Sequence, residues 1–182
     1  MLTTKGFTLT ELLITLTITV LLWQTALPAW QSFSERQQAT KDIIRLTMLL
    51  HNSREQAIHL AERLTLCPDS GNQQCGNDWN QPLILFTDTN NNRQLDTNEQ
   101  LLHRTKALND SRLLTFSGNS ISFDNRGFAG FSTGSLGYCL QGARPYSASF
   151  IISRMGRIRR GGDNNNDGIA ELANGQNVPC PT

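Results

Sequence analysis

Hydrophobic positions follow three regimes along this chain. From Phe7 to about Leu27 they are nearly continuous (FTLTELLITLTITVLLWQTAL), roughly the 20 residues that a helix needs to span a bilayer. From Gln31 to Leu64 the residues Ile43, Leu46, Leu50, Ala57, Ile58, Ala61 and Leu64 recur at spacings of three and four, and no Gly or Pro interrupts the stretch between Trp30 and Cys67. That is the pattern of an amphipathic helix whose apolar stripe packs on a sheet, so the first helix is predicted to continue into the second. After Cys67 short apolar runs alternate with turn residues: PLILFTD, QLLHRT, RLLTFSG, SISFDNRG, SLGYCLQG and ASFIISR. These predict β-strands joined by hairpins and loops. One long helix followed by a run of strands is an α+β plan, with the helix on an antiparallel sheet. There is no repeat of solenoid period, no low-complexity linker and no second domain in the pattern.

Composition adds two constraints. At 182 residues and a formal net charge of +1, the chain holds one core, and it is no polycation, so attraction to an anionic partner must come from a local patch. Its four cysteines, Cys67, Cys75, Cys139 and Cys180, include no CxxC pair. In an oxidising compartment an even count of this kind predicts two disulfides. Cys67 with Cys75 would close a small loop, and Cys139 with Cys180 would tie down the C-terminus. Four reduced thiols are the alternative, whereas zinc is a poor fit because no His lies close in sequence.

Candidate chemistry is sparse. No Ser-His-Asp or Cys-His set stands at a recognisable spacing and no phosphate-cradling Gly loop is present, so the chain does not read as an enzyme. His51 and His59 fall on the helix and read as solvated or capping residues. Asp88, Asn90, Asn92, Asp96 and Glu99 occupy positions 1, 3, 5, 9 and 12 of an EF-hand-like loop, but Arg93 stands where that loop expects Gly. A second run offers Asp163, Asn165, Asp167 and Glu171 with Gly168 in the expected place, but Asn174 at position 12 cannot supply a bidentate carboxylate. Hairpin turns account for both runs, since Asn and Asp tolerate left-handed backbone, and calcium is the lesser reading.

Charge is concentrated near the end of the chain. From Asn125 to Gly162 there is no acidic residue, and the six basic residues are all Arg: Arg126, Arg144, Arg154, Arg157, Arg159 and Arg160. Arg is the side chain best suited to bidentate phosphate contact. Gly156 permits a tight turn before Arg157. In an extended segment Arg157 and Arg159 point the same way, with Ile158 facing the protein. Gly161 and Gly162 would leave room for a ligand to approach. A strand edge guarded by charge explains the same spacing equally well.

Glu11 stands inside the first apolar run, where a carboxylate costs roughly 2 to 4 kcal/mol or must find a partner, and Gly6 stands just before that run. The stretch GFTLTELL resembles the type IV prepilin signature. That resemblance implies cleavage by a prepilin peptidase after Gly6, N-methylation of Phe7, and pairing of Glu11 with a terminal amine during filament assembly. Residues 1–6 would then be the leader, 7–29 the transmembrane and filament-core helix, and 30–182 a periplasmic pilin domain containing the second half of the helix. The middle of the chain is similar to minor pilins of the FimT/GspH family. The likeness rests on Arg54 to Ala57 at the helix end, Thr65 to Cys67, and Phe86, Asp88, Asn90, Asp96 and Glu99, with Arg93 departing from the usual Gly. It implies the type IV pilin fold, a single pass through the bacterial inner membrane, incorporation in a pilus, and other major and minor pilins as partners. In FimT-type pilins a C-terminal Gly-Arg-x-Arg motif is associated with DNA binding during natural transformation. Gly156 to Arg159 (GRIR) matches it, which implies that double-stranded DNA contacts Arg157 and Arg159, with Arg154 and Arg160 adding field. A structural or priming subunit, or a GspH-like pseudopilin of type II secretion binding only other pilins, is the alternative.

Overall fold

The computed structural model describes residues 8–142 and 146–181. The chain divides into two compact units, Met1–Lys41 and Asp42–Thr182, and one helix, α1 (Leu9–Leu60), runs through both. Its first turn is closed by a capping box. The Thr8 hydroxyl accepts from Glu11 N (3.3 Å), and the Glu11 carboxylate accepts from Thr8 N (3.0 Å) and the Thr8 hydroxyl (2.9 Å). The threonines of the apolar run satisfy themselves. Thr15, Thr17 and Thr19 donate their hydroxyls to the carbonyls of Leu12, Leu13 and Thr15, one turn back. A polar side chain is thereby made compatible with an apolar surround. Leu12, Leu13, Ile14, Leu16 and Ile18 are each more than half exposed, and α1 is long and apolar enough to cross a membrane.

Within the second unit the buried stripe of α1 is Ile43, Leu46, Leu50, Ser53 and Ala57. Three residues expected on it fall elsewhere, among them Ala61, which lies exposed just past the helix end. Ile58 is exposed, and Leu64 belongs to the first strand. The helix ends earlier because Ala61 takes a left-handed conformation (φ 56°). Ala61 N then donates to Ile58 O (3.3 Å) and Glu62 N to Ala57 O (3.2 Å), the paired bonds of a Schellman ending.

Among the described residues eight strands follow, divided between two antiparallel four-stranded sheets. The first has the order β3 (Leu101–Arg104), β2 (Leu83–Thr87), β1 (Leu64–Pro68), β5 (Ile121–Phe123). The second has the order β4 (Arg112–Phe116), β6 (Gly134–Leu140), β7 (Tyr146–Ile152), β8 (Ile158–Arg160). β1 and β2 are buried throughout. On one face Cys67, Ile84 and Phe86 form a cluster covered by Cys75 and Leu95, so the Cys67–Cys75 disulfide holds a loop over that face.

Period-two alternation in β6 and β7 decides how the second sheet is used. Leu136, Tyr138 and Leu140 share one face with Ala148, Phe150 and Ile152, all buried. Tyr138 carries its hydroxyl to Asp42 of α1 (3.2 Å), which also pairs with Arg112 (3.2 Å). The opposite face presents Ser135, Gly137, Cys139, Ser147 and Ser149, all small, with Ile151 at one end. The C-terminal segment crosses it. Ala170 N donates to the Ser147 hydroxyl (2.7 Å), Ala173 N donates to that of Ser135 (2.9 Å), and the Ser149 hydroxyl donates to Glu171 O. The Cys139–Cys180 disulfide fixes the far end of that segment. Gly161 also serves this crossing. A Cβ there would collide with the Ser149 hydroxyl and the Glu171 carbonyl, so the space expected at Gly161 for a ligand is filled by the protein itself. Gly162 does face open surroundings: a Cβ there would meet nothing nearer than Asn164 Oδ1 at 3.6 Å.

Candidate nucleic-acid interface

The arginine run is a β-hairpin at the edge of the second sheet. β7 turns through Ser153–Gly156 and returns as β8, pairing Ile152 with Ile158, Ile151 with Arg159 and Phe150 with Arg160. Gly156 N donates to Ser153 O (2.9 Å), Arg157 N to the Ser153 hydroxyl (3.1 Å), and Ser153 N to Arg157 O (3.0 Å). Gly156 is buried with φ 73°, and a Cβ on it would strike the Gly127 carbonyl oxygen. Its part is therefore to shape the turn, and the ligand-accessible groups are its neighbours.

That turn is clamped from two sides. The Gly127 carbonyl accepts from Arg54 Nε of α1 (3.0 Å). Ala129 N and Gly130 N both donate to Arg154 O (3.1 Å each). The β5–β6 loop, the end of α1 and the hairpin thus form one rigid corner. Arg154, Arg157, Arg159 and Arg160 are exposed on it. Arg157 and Arg159, two residues apart on the extended return, share a face, while Ile158 between them is half-buried against Ile152. Among the described residues none of these four arginines forms a salt bridge.

Arg126 is different. It pairs with Asp124 (3.2 Å) and lies over the Phe128 ring at 5.0 Å. Burial alone would raise the Asp124 carboxyl, but bonds from Phe128 N and Arg126 N, together with the Arg126 guanidinium, outweigh it and hold it below its ordinary value. Arg154 lies 5.5 Å from the centroid of Phe131, a ring that is 97% exposed. Neither Arg54 nor Phe131 was legible as part of this corner, because both reach it by long-range packing. The acid-free stretch carrying Phe128 and Phe131 between glycines was the available signal.

The other sequence-predicted residues fall away from the hairpin or outside view. Gly6, Phe7 and Arg144 lie outside the described residues. In the loop from Asp88 to Glu99 the side chains satisfy one another: Asp96 Oδ2 accepts from Asn90 (2.8 Å) and Asn92 (2.9 Å), and Glu99 accepts from Thr89 N (2.8 Å). Asp88 is buried, bonded to the Thr65 hydroxyl (2.7 Å) and Asn92 N (3.0 Å). The second Asn-rich loop is similar. Asp163 accepts from Asp167 N (3.1 Å) and Gly168 N (2.9 Å), and Asn164 donates to Glu171. Bonds from Ile169 N and from the Asn177 and Asn165 amides hold the Asp167 carboxyl below its ordinary value. Among the described residues no group of three or more His, Cys, Asp or Glu side chains is arranged to hold a metal.

Residues 42–156 match the family model described as type II transport protein GspH. The chain belongs to the GspH family. The match takes in α1 from Asp42 onward and the strands through β7, and stops at Gly156, so the GspH model leaves Arg157 and the arginines after it unmatched. The fold is similar to that of the type IV minor pilin FimU of Pseudomonas aeruginosa strain PAO1. The two chains align at 16% identity and a TM-score of 0.53, covering 70% of this chain and 90% of the FimU chain. A second crystal form of FimU aligns at 14% identity and a TM-score of 0.47, covering 68% and 90%. No curated protein matches the chain significantly. The helix and the antiparallel sheets are therefore those of a type IV pilin fold, in a chain of the GspH family.

Proposed function

We propose that this protein is a minor pilin that binds DNA through the β7–β8 hairpin during uptake of external DNA. The observation that carries the reading is the set of exposed arginines without salt bridges, Arg154, Arg157, Arg159 and Arg160, on one clamped corner. Arg157 and Arg159 stand about 6.7 Å apart along an extended segment, a spacing that lets both reach phosphates of one strand. The exposed arginines sit on a hairpin, so contacts go to the backbone and binding is independent of sequence. Few contacts give modest affinity for one subunit, and several subunits on one pilus would raise it by avidity. In this reading residues 1–6 are removed by prepilin peptidase, Phe7 is methylated, residues 7–29 anchor the subunit in the inner membrane, and 30–182 face the periplasm until assembly. The Glu11 carboxylate that caps the first turn is the group that meets a neighbouring pilin's terminal amine.

A second reading, a structural or priming pilin or a type II secretion pseudopilin, is favoured by the position of β8. It is a three-residue edge strand, and charge on an edge prevents pairing with another chain. Charge reversal at Arg157 and Arg159 separates the two. The DNA-binding reading expects piliation to be retained and DNA uptake abolished. Loss of piliation, or unchanged uptake, supports the structural reading.

A further inference from the structure

The arginine corner carries an aromatic group that phosphate binding does not use. Phe131, in the β5–β6 loop, is 97% exposed, and Met155 at the tip of the hairpin is 62% exposed. A phenylalanine left in water forgoes the gain of burial, so the fold gains little from the ring where it stands. The loop beneath it is nonetheless fixed: Ala129 is buried, Ser132 N donates to Ala129 O (2.9 Å), and Ala129 N and Gly130 N are held by Arg154 O. The ring is therefore presented from an anchored base, with the Arg154 guanidinium 5.5 Å from its centroid.

We propose that Phe131 is a base-stacking platform, so that this corner takes single-stranded DNA by its bases as well as by its phosphates. The inference rests on the reading of the arginine hairpin as a phosphate site. Proteins that hold single strands combine a positive track for the backbone with aromatic rings for the bases, and any base can stack because each has a π-face. Both parts are present here. Arg157 and Arg159 follow the backbone, Phe131 offers the ring, and Arg154 joins them, its carbonyl tying the two loops and its guanidinium on the ring. No Asp or Glu occurs from Asn125 to Gly162, so this stretch carries no charge that would repel an anionic strand. In a duplex the bases are stacked inside and out of reach, so Phe131 acts on single strands and frayed ends.

The test uses the full chain in detergent micelles and fluorescence anisotropy with three labelled probes of equal length: oligothymidylate, an abasic strand and a duplex. The wild type is expected to prefer oligothymidylate to the abasic strand by about tenfold. Phe131→Ala is expected to remove that preference while leaving duplex affinity within about twofold, and Phe131→Tyr to restore it. The ring is on the surface, and a circular dichroism spectrum confirms that each variant is folded. If Phe131→Ala alters no probe, or weakens all three alike, the stacking platform is wrong and the ring belongs to a protein contact or to the loop. The phosphate reading has its own control: Arg157→Glu with Arg159→Glu must weaken all three probes. Phe131→Ala without effect beside a strong effect of the arginine pair defeats the platform alone. A wild type that binds no probe defeats both.

Discussion

Replacing Gly156 with alanine tests the claim that this glycine is there for the turn. The residue has φ 73°, where an L side chain costs about 1–2 kcal/mol. The added Cβ would also collide with the Gly127 carbonyl oxygen, which is backbone and cannot rotate away. Moving that carbonyl breaks its bond from Arg54 Nε (3.0 Å), a bond to a charged donor worth roughly 1.5–3 kcal/mol. Against this, alanine lowers the entropy of the unfolded chain by about 0.4–1 kcal/mol. The net expectation is a loss of about 3 kcal/mol, or a fall in Tm of roughly 10 °C for a chain of this size. Scanning calorimetry of the full chain in detergent measures it. Gly162→Ala is the control, because the added Cβ would meet only Asn164 Oδ1 at 3.6 Å and the change should stay within about 0.5 kcal/mol. Equal small losses for the two substitutions would refute the reasoning.

The two disulfides should differ in weight. Replacing Cys139 and Cys180 by alanine opens a separation of 41 residues and should cost about 4 kcal/mol, whereas the 8-residue Cys67–Cys75 link should cost about 2.5, both read from urea midpoints. Burial, with the nearby Asp42 charge second, raises the Tyr138 hydroxyl above its ordinary value. The folded state therefore keeps that proton while the unfolded chain releases it, so stability should be flat below about pH 10 and then fall by up to about 1.4 kcal/mol per pH unit. Tyr138→Phe should flatten that alkaline fall, as followed by urea unfolding. Millimolar calcium should leave the Tm within about 1 °C, because a cation stabilises only by binding the native state and the two Asn-rich loops already satisfy their own carboxylates. A rise of several degrees would show that these loops open to take the ion.

Much of the architecture was legible because each element carries its own period. The stripe from Ile43 to Ala57 reads as a helix. Ser-Leu-Gly-Tyr-Cys-Leu and Ser-Ala-Ser-Phe-Ile read as strands. The end of α1 was overrun, since Ala61 gives no sign of a left-handed turn and Leu64 continues the helical spacing although it opens β1. The division into two sheets was hidden, because β4 passes over its neighbour β3 to pair with β6, twenty or more residues on. Gly161 was misread as room for a ligand. Its true neighbours, Ser149 and Glu171, are each ten or more residues away in sequence. The arginine motif itself was visible. What could not be read was the corner around it, where Arg54, Gly127 and Phe131 arrive from other elements.

The central claim is that the β7–β8 arginines bind DNA phosphates. The direct measurement is a titration of the full chain with a random-sequence duplex at several salt concentrations, beside the Arg157→Glu, Arg159→Glu variant of matching circular dichroism. Losing two phosphate contacts should weaken binding at least about tenfold and make the slope of log K against log salt shallower by about 2. A variant that binds as the wild type does, or a wild type that fails to bind even at low salt, would contradict the account and leave the arginines as guards of a strand edge.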